Sequence, residues 1–512
     1  MRRFLFAAVV ASVSGGGVMQ AHAQGNAPDA PTQTLKIALR EDADSLDPTL
    51  ARSYVGRIVF SSLCDKLFDI NEKLEIVPQL ALGYEWADPV TLVIHLRPGV
   101  MFHDGTNMDA AAVKYSLERH LNMPGSGRRG EISTLDHIDI VDPLTVKLTL
   151  KSATSPFVAQ LTDRAGMIVS PKAAEAEGKD FGLHPVCAGP FKFTERVAQD
   201  RIVLDRFPQY WDAKNIHFAR IVFQPIVDST TRLANLRAGA VDLVESVVPS
   251  DAAAVKADPK LKLVVSKQLG YESINFNLAH GPRASGVINK DARVRQAFDL
   301  AIDRAALNEV VFNGMYTPTE QAIAKDSPFY DKALKVKERD VEKAKKLLAE
   351  AGVKLPVTFT MMVPNSPVIV QLAEVIQSMV AEAGFDMKIS TMEFASTLDA
   401  GDRGDFEGYL IAWSGRTDPD GNLWNFVHSG GALNYALYAN PDVDHWLEQA
   451  RAVSDIPART ALYAKVSEQN VKDLPILYLY SPVNMVGMNA KLSGFVPVAD
   501  GLIRPQGMTL AK

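Results

Sequence analysis

Cysteine is scarce in this chain: only Cys64 and Cys187 occur in 512 residues. No C-x-x-C pair is present, which excludes a zinc ribbon or a dithiol redox motif. Also missing are G-x-S-x-G, H-E-x-x-H and the Walker A string, so a nucleophile elbow, a zinc-protease helix and a P-loop are excluded. The ten histidines are scattered and none pair at i, i+4, so neither a metal nor another cofactor is expected. There is no basic excess, with 54 Lys and Arg against 60 Asp and Glu and a net charge of −6. A protein that neutralises phosphates needs such an excess, and nucleic acid is not an expected partner. Beyond the N-terminal stretch no apolar run reaches the ~18 residues of a membrane-spanning helix, so stable membrane insertion is not expected. Repeats and low-complexity tracts are absent too. At 47% hydrophobic and 22% charged, the composition is that of globular domains, and the length points to more than one.

What is present begins with a leader. Arg2 and Arg3 precede the apolar stretch 4–13, and Ala21-His22-Ala23 supplies an A-x-A cleavage site. Residues 1–23 therefore read as a cleavable secretory signal, with a linker of Gly, Ala, Pro and Gln at 24–34. No cysteine lies near the cleavage site, so a lipoprotein anchor is not expected. Export to an oxidising compartment makes Cys64 and Cys187 a candidate disulfide, with two buried thiols as the alternative.

The most informative stretch is 409–451. Tyr409-Leu410-Ile411-Ala412 is an apolar run of the kind that forms a buried strand. It ends in Trp413-Ser414-Gly415-Arg416-Thr417-Asp418-Pro419-Asp420-Gly421, a concentration of turn residues. In α/β sheets ligands bind just past the carboxyl ends of strands. Trp413 offers an apolar face, Arg416 a forked donor, and Asp418 and Asp420 acceptors, a set suited to a small zwitterionic or carboxylate-bearing solute. A surface turn beside a core tryptophan fits the same residues.

The rest of the chain is α/β in pattern. Strands are expected at 35–39, 91–97, 144–150, 201–207, 219–225, 241–244, 261–267, 357–363, 386–391 and 475–481. Helices are expected at 53–68, 230–238, 341–351, 369–383 and 459–471. Asp340 is placed to cap its helix and Gly352 to end it, and 357–391 reads as a βαβ unit. One string, Gly125-Ser126-Gly127-Arg128-Arg129-Gly130, matches G-x-G-x-x-G but follows a helix rather than a strand. It reads as a flexible loop and not as a dinucleotide site.

Several segments, in order, carry a resemblance. They are Pro78-Gln79-Leu80-Ala81, Trp86, and Leu96-Arg97-Pro98-Gly99-Val100-Met101-Phe102-His103-Asp104-Gly105. They continue with Pro185-Val186-Cys187-Ala188-Gly189-Pro190-Phe191, Tyr210-Trp211, Arg293-Val294-Arg295-Gln296-Ala297 with Asp303-Arg304, and Glu342-Lys343-Ala344 through Gly352. This succession resembles the extracellular solute-binding proteins of the dipeptide, oligopeptide and nickel type, family 5. The resemblance spans nearly the whole mature chain.

The resemblance implies a type II, cluster C-like periplasmic-binding-protein fold of two lobes joined by hinge strands. Lobe I is expected at 32–270 plus 475–512, with an extra subdomain at about 53–182, and lobe II at 271–474. The implied function is capture of a short peptide or peptide-like organic acid and its delivery to the transmembrane subunits of an ABC importer. The protein is then periplasmic, monomeric and not an enzyme. A nickel or nickel-chelate carrier is the alternative within the family, a signalling or chaperone adaptor is an alternative on the same scaffold, and a secreted peptide hydrolase is an alternative of a different class. Expected ligand-binding residues are Trp413, Arg416, Asp418, Asp420, Asn434, Tyr435 and Tyr54, with Arg416 as charge anchor. Peptide-binding members carry an Asp near the position of Arg416 that pairs with the ligand amine, so here a carboxylate is expected to meet the loop. If Arg416 is only a turn residue, the anchor is expected at Arg40, Arg52 or 365–367. Cys187-Ala188 departs from the family's Gly-Thr and coincides with Cys64, which favours the disulfide.

Overall fold

The computed structural model describes residues 31–511, and the leader expected at 1–23 lies outside them. The chain from Thr32 onward forms one unit built on three larger sheets, with two further two-stranded ones. The first is seven-stranded, in the order Leu261–Lys267, Val483–Asn489, Leu243–Val244, Thr34–Leu39, Arg220–Pro225, Arg201–Arg206, Phe191–Val197. Thr34–Leu39 lies parallel to both Arg220–Pro225 and Leu243–Val244, so three carboxyl ends open on the same edge. The second sheet is six-stranded, in the order Thr317–Pro318, Ile476–Ser481, Tyr271–Phe276, Gly408–Trp413, Val357–Pro364, Phe385–Met392. Here Val357–Pro364, Phe385–Met392 and Gly408–Trp413 are parallel. Helix Pro367–Ala381 makes the crossover between the first two of these, which is the βαβ unit read from the sequence.

The third sheet, Ala81–Asp88, Thr91–Leu96, Thr145–Leu150, Leu135–Asp142, is antiparallel, two hairpins joined edge to edge, and inserted within the first half. Its strands alternate buried and exposed residues, and helix Ala110–Asn122 covers the buried face with Val113 and Leu117. Asp109 caps that helix by accepting from the amides of Ala111 and Ala112. Each of the three sheets has its own apolar core.

The chain passes directly between the two large sheets at two places, from Lys267 to Tyr271 and from Ser481 to Val483. At the first, a Cβ on Gly270 would lie 1.8 Å from the Trp413 carbonyl oxygen, so only glycine fits. At the second, Pro482 alone separates the strands. Strand Ile476–Ser481, expected with the first lobe, pairs with Tyr271–Phe276 in the six-stranded sheet, and only the chain after Pro482 returns to the seven-stranded one. Its run of buried residues suits a strand covered on both faces, which does not tell one sheet from another.

Cys64, at the end of helix Tyr54–Leu63, is bonded to Cys187, with Cα atoms 4.9 Å apart and a sequence separation of 123. The bond ties the helix to the turn that enters strand Phe191–Val197. Beside it, buried Asp65 accepts from the Tyr210 hydroxyl (3.0 Å), Trp211 Nε1 (2.8 Å) and Gln79 Nε2 (3.1 Å). The tyrosine and tryptophan quoted in the family pattern thus serve the core.

Candidate functional site

A cavity of about 180 Å³ lies between the carboxyl-end edges of the two large sheets. Arg40, Glu41, Glu245, Ser246 and Val248 reach it from the ends of Thr34–Leu39 and Leu243–Val244. From the other sheet come Glu272, Ala412, Trp413, Ser414 and Pro364. Both edges are where parallel strands release the chain into loops, the usual ligand position in such sheets. The apolar wall includes Trp413, Phe426, Leu433 and Tyr435 on one side and Phe312, Tyr316 and Tyr480 on another. Ring centroids 4.7 Å apart fix Trp413 against Phe426, and Phe312 packs against Tyr480 at 4.6 Å.

Of the residues expected at the ligand, Trp413, Tyr435 and Tyr54 line this cavity. Two of them have their polar atoms occupied by protein. Trp413 donates Nε1 to Asn422 Oδ1 (3.0 Å), and the Tyr54 hydroxyl donates to the Gly501 carbonyl (2.7 Å). Arg416, Asp418, Asp420 and Asn434 are not among the lining residues. The loop after Trp413 turns inward and is held by charges far away in sequence. Asp418 pairs with Arg459 (2.7 Å) and Asp420 with Arg451 (2.7 Å). The Asn434 amide donates to the His428 and Tyr438 carbonyls. Arg416, 9% exposed, stacks over Trp413 at 4.4 Å and pairs with Asp163 at 3.2 Å, so neither Asp418 nor Asp420 holds it.

Asp163 belongs to the inserted region, and it leads to a charge cluster that the sequence did not reveal. It forms ion pairs with Arg57 (2.5 Å) and Arg416, and Arg164 Nε lies 3.4 Å away. Arg128 pairs with Glu131 at 2.5 Å beside it. Four buried guanidinium groups thus share two carboxylates. Arg128 and Arg164, both fully buried, line the cavity. Arg164 donates one hydrogen bond, to the Ala51 carbonyl (2.6 Å), while its Nε and Nη2 have no hydrogen-bond partner. Arg128 Nε and Arg416 Nη2 are likewise unpartnered. Burial and the neighbouring guanidinium groups pull the pKa of Arg164 well below the usual arginine value, and burial with Arg57 brings that of Arg416 down to about 10. Arginine holds its proton in proteins, so the cluster carries an excess of positive charge at the cavity wall.

The string 125–130, expected as a flexible loop, is the wall that carries Arg128. Ser126 and Arg128 are buried, and a Cβ on Gly130 would stand 2.2 Å from Asn425 Oδ1. Of its three glycines, Gly130 is the one that allows close approach to the opposite half. Elsewhere on the rim, Arg52 of the first half reaches Asp399 (2.7 Å) and Asp402 of helix Phe394–Arg403. Gln160 donates to Asp420 (2.8 Å), and Arg451 to the Gly130 carbonyl (3.2 Å). Arg40 and Arg52, the alternative anchors, both line the cavity, as does Ser366 at the N-terminus of helix Pro367–Ala381. Arg40 lies 4.9 Å over the Tyr54 ring with Glu245 3.8 Å away. Among the described residues, no three His, Cys, Asp or Glu side chains converge as metal ligands would, and no helix is long and apolar enough to cross a membrane.

Two sheets that exchange strands at a pair of crossovers and enclose a cavity between their loop edges define a periplasmic binding protein. The chain belongs to the bacterial extracellular solute-binding proteins, family 5, whose model (family 5 Middle) matches residues 75–434. The glutathione-binding protein GsiB of Pectobacterium atrosepticum is 30% identical over 91% of this chain and 92% of its own length. Among solved structures, the binding protein AgaA in complex with agropinic acid, from A.tumefacien R10, has a TM-score of 0.86 at 27% identity, covering 94% of this chain and 99% of its own. DppA of Helicobacter pylori with the peptide STSA has a TM-score of 0.87 at 25% identity, with the same coverage. The chain accordingly captures a solute for an ABC importer and is not an enzyme.

Proposed function

We propose that the solute is a short peptide or peptide-like organic acid, held by its carboxylate at Arg128 and Arg164. The observation that carries this reading is the pair of unpartnered nitrogens on Arg164, a fully buried residue at the cavity wall. A carboxylate there completes the hydrogen bonds of a forked donor and offsets the excess charge of the cluster. The relatives named for glutathione and agropinic acid support an acidic solute. Trp413 and Tyr435 serve as apolar walls. Arg416 acts behind Trp413, bridging the two halves through Asp163. The halves themselves are lobes, with the crossovers at 267–271 and 481–483 as hinges, so lobe I takes in about 32–270 and the chain after Pro482. The protein works as a monomer in the periplasm, exported by the leader at 1–23 without a lipid anchor.

Mass spectrometry of the solute that co-purifies after native export tests this reading, with Arg164→Met in parallel. The expected solute carries a carboxylate, and the variant is recovered empty or at least 30-fold weaker in titration, since losing one partner of a shielded charge pair costs about 2–5 kcal/mol. A solute without an acidic group, or a variant that retains wild-type affinity, overturns it.

A further inference from the structure

The same cavity also carries carboxyl groups, and of these only Glu245 has an arginine within ion-pair reach. Glu41 leaves the end of strand Thr34–Leu39, Glu245 the end of Leu243–Val244, and Glu272 stands on strand Tyr271–Phe276; all three line the cavity. Two arginines stand near them. Arg232 is engaged by the carbonyls of Ile226, Val227 and Ser246. Arg40 is 3.8 Å from Glu245 and makes no ion pair with the other two. Glu272 is 6% exposed, and its one side-chain hydrogen bond comes from the Tyr480 hydroxyl, at 3.4 Å. A carboxyl group so enclosed is costly to ionise unless a cation comes to it.

We propose that Glu272 and Glu41 form a subsite for a protonated amine of the solute, so that the protein selects acids that also carry an amino group. The inference rests on the carboxylate reading above, because both sets of charges line one cavity. Asp418 and Asp420 of the Trp413 loop do not line the cavity, and the carboxyl groups that do are Glu41, Glu245 and Glu272. Two carboxyl groups from opposite sheets, facing Tyr316 and Tyr480, supply acceptors there.

The ionisation of these groups agrees. Burial pushes Glu272 up to about 8 and Glu41 to about 7. The Arg40 charge opposes this at both, and the charges of Glu245, Asp44 and Glu393 add to it at Glu41. Both groups therefore hold protons near neutral pH in the ligand-free cavity. An ammonium favours the charged form and drives those protons out.

Titration calorimetry of the exported protein with glutathione and with N-acetylglutathione, in two buffers of different ionisation enthalpy, tests the subsite. Wild type should bind the free amine at least tenfold tighter and release protons on binding. Glu272→Gln should keep the melting temperature, lose the preference and lose much of the proton release. Equal affinity for the two probes overturns the amine subsite and leaves the carboxylate reading standing. If neither probe binds, the co-purified solute decides. A carboxylate without a basic nitrogen overturns the subsite alone, and a solute without a carboxylate overturns both.

Discussion

Arg416 occupies the place of a ligand anchor in the sequence and the place of a brace in the structure. It stacks on the face of Trp413 and pairs with Asp163 of the inserted region. Its removal should therefore weaken closure rather than a contact to the solute. Arg416→Ala is expected to lower affinity roughly ten- to 150-fold, about 1.5–3 kcal/mol for a lost charged hydrogen bond. The loss should be equal for a solute and for its carboxyl-amidated analogue. A smaller loss with the amidated compound, measured by calorimetry, would return Arg416 to the ligand. The residues the sequence did not disclose are of one kind. Arg57, Arg128 and Arg164 look like ordinary solvated charges, and nothing within a few positions marks them as buried. Their meaning depends on Asp163, Glu131 and a cavity assembled from distant chain, which local patterns cannot report. Trp413, Tyr54 and Tyr435 line the cavity; Asp418 and Asp420 do not, because Arg459 and Arg451 claim them.

Elements were more legible than sites. Asp340 caps helix Val341–Glu350 by accepting from the Lys343 amide, and Gly352 takes the left-handed conformation past its end, φ 67°. The βαβ unit at 357–392 follows from period and length, because those patterns are set by burial of one face. Which sheet the strand Ile476–Ser481 joins was not legible, since a uniformly apolar strand suits either. The disulfide is an element-scale tie, fastening helix Tyr54–Leu63 to the entry of strand Phe191–Val197. Closing a loop of this length is worth up to ~4.7 kcal/mol on the chain-entropy model. The exported protein should show no free thiol when denatured without reductant. The double variant Cys64→Ser with Cys187→Ser should melt several degrees lower, by calorimetry, while its folded form keeps solute affinity within a few-fold. Two titratable thiols in the wild type would refute the tie.

For the whole molecule, several contacts join the two halves across the cavity. Arg52 with Asp399, Asp163 with Arg416, Gln160 with Asp420 and Arg451 with the Gly130 carbonyl all join segments from opposite sides. Each is small alone, and together with the solute they favour closure. Small-angle scattering should accordingly show a lower radius of gyration at saturating solute than without it. An unchanged radius at saturation would mean that the halves do not move.

The approach of Gly130 to Asn425, with no room for a Cβ, has a consequence for time as well as for shape. A solute enclosed behind walls that close leaves only as fast as they part. Its residence time is then a property of the hinges at 267–271 and 481–483, and solutes of unequal affinity should share a similar slowest step of escape. An importer that pries the halves apart shortens that wait without competing for any atom of the solute.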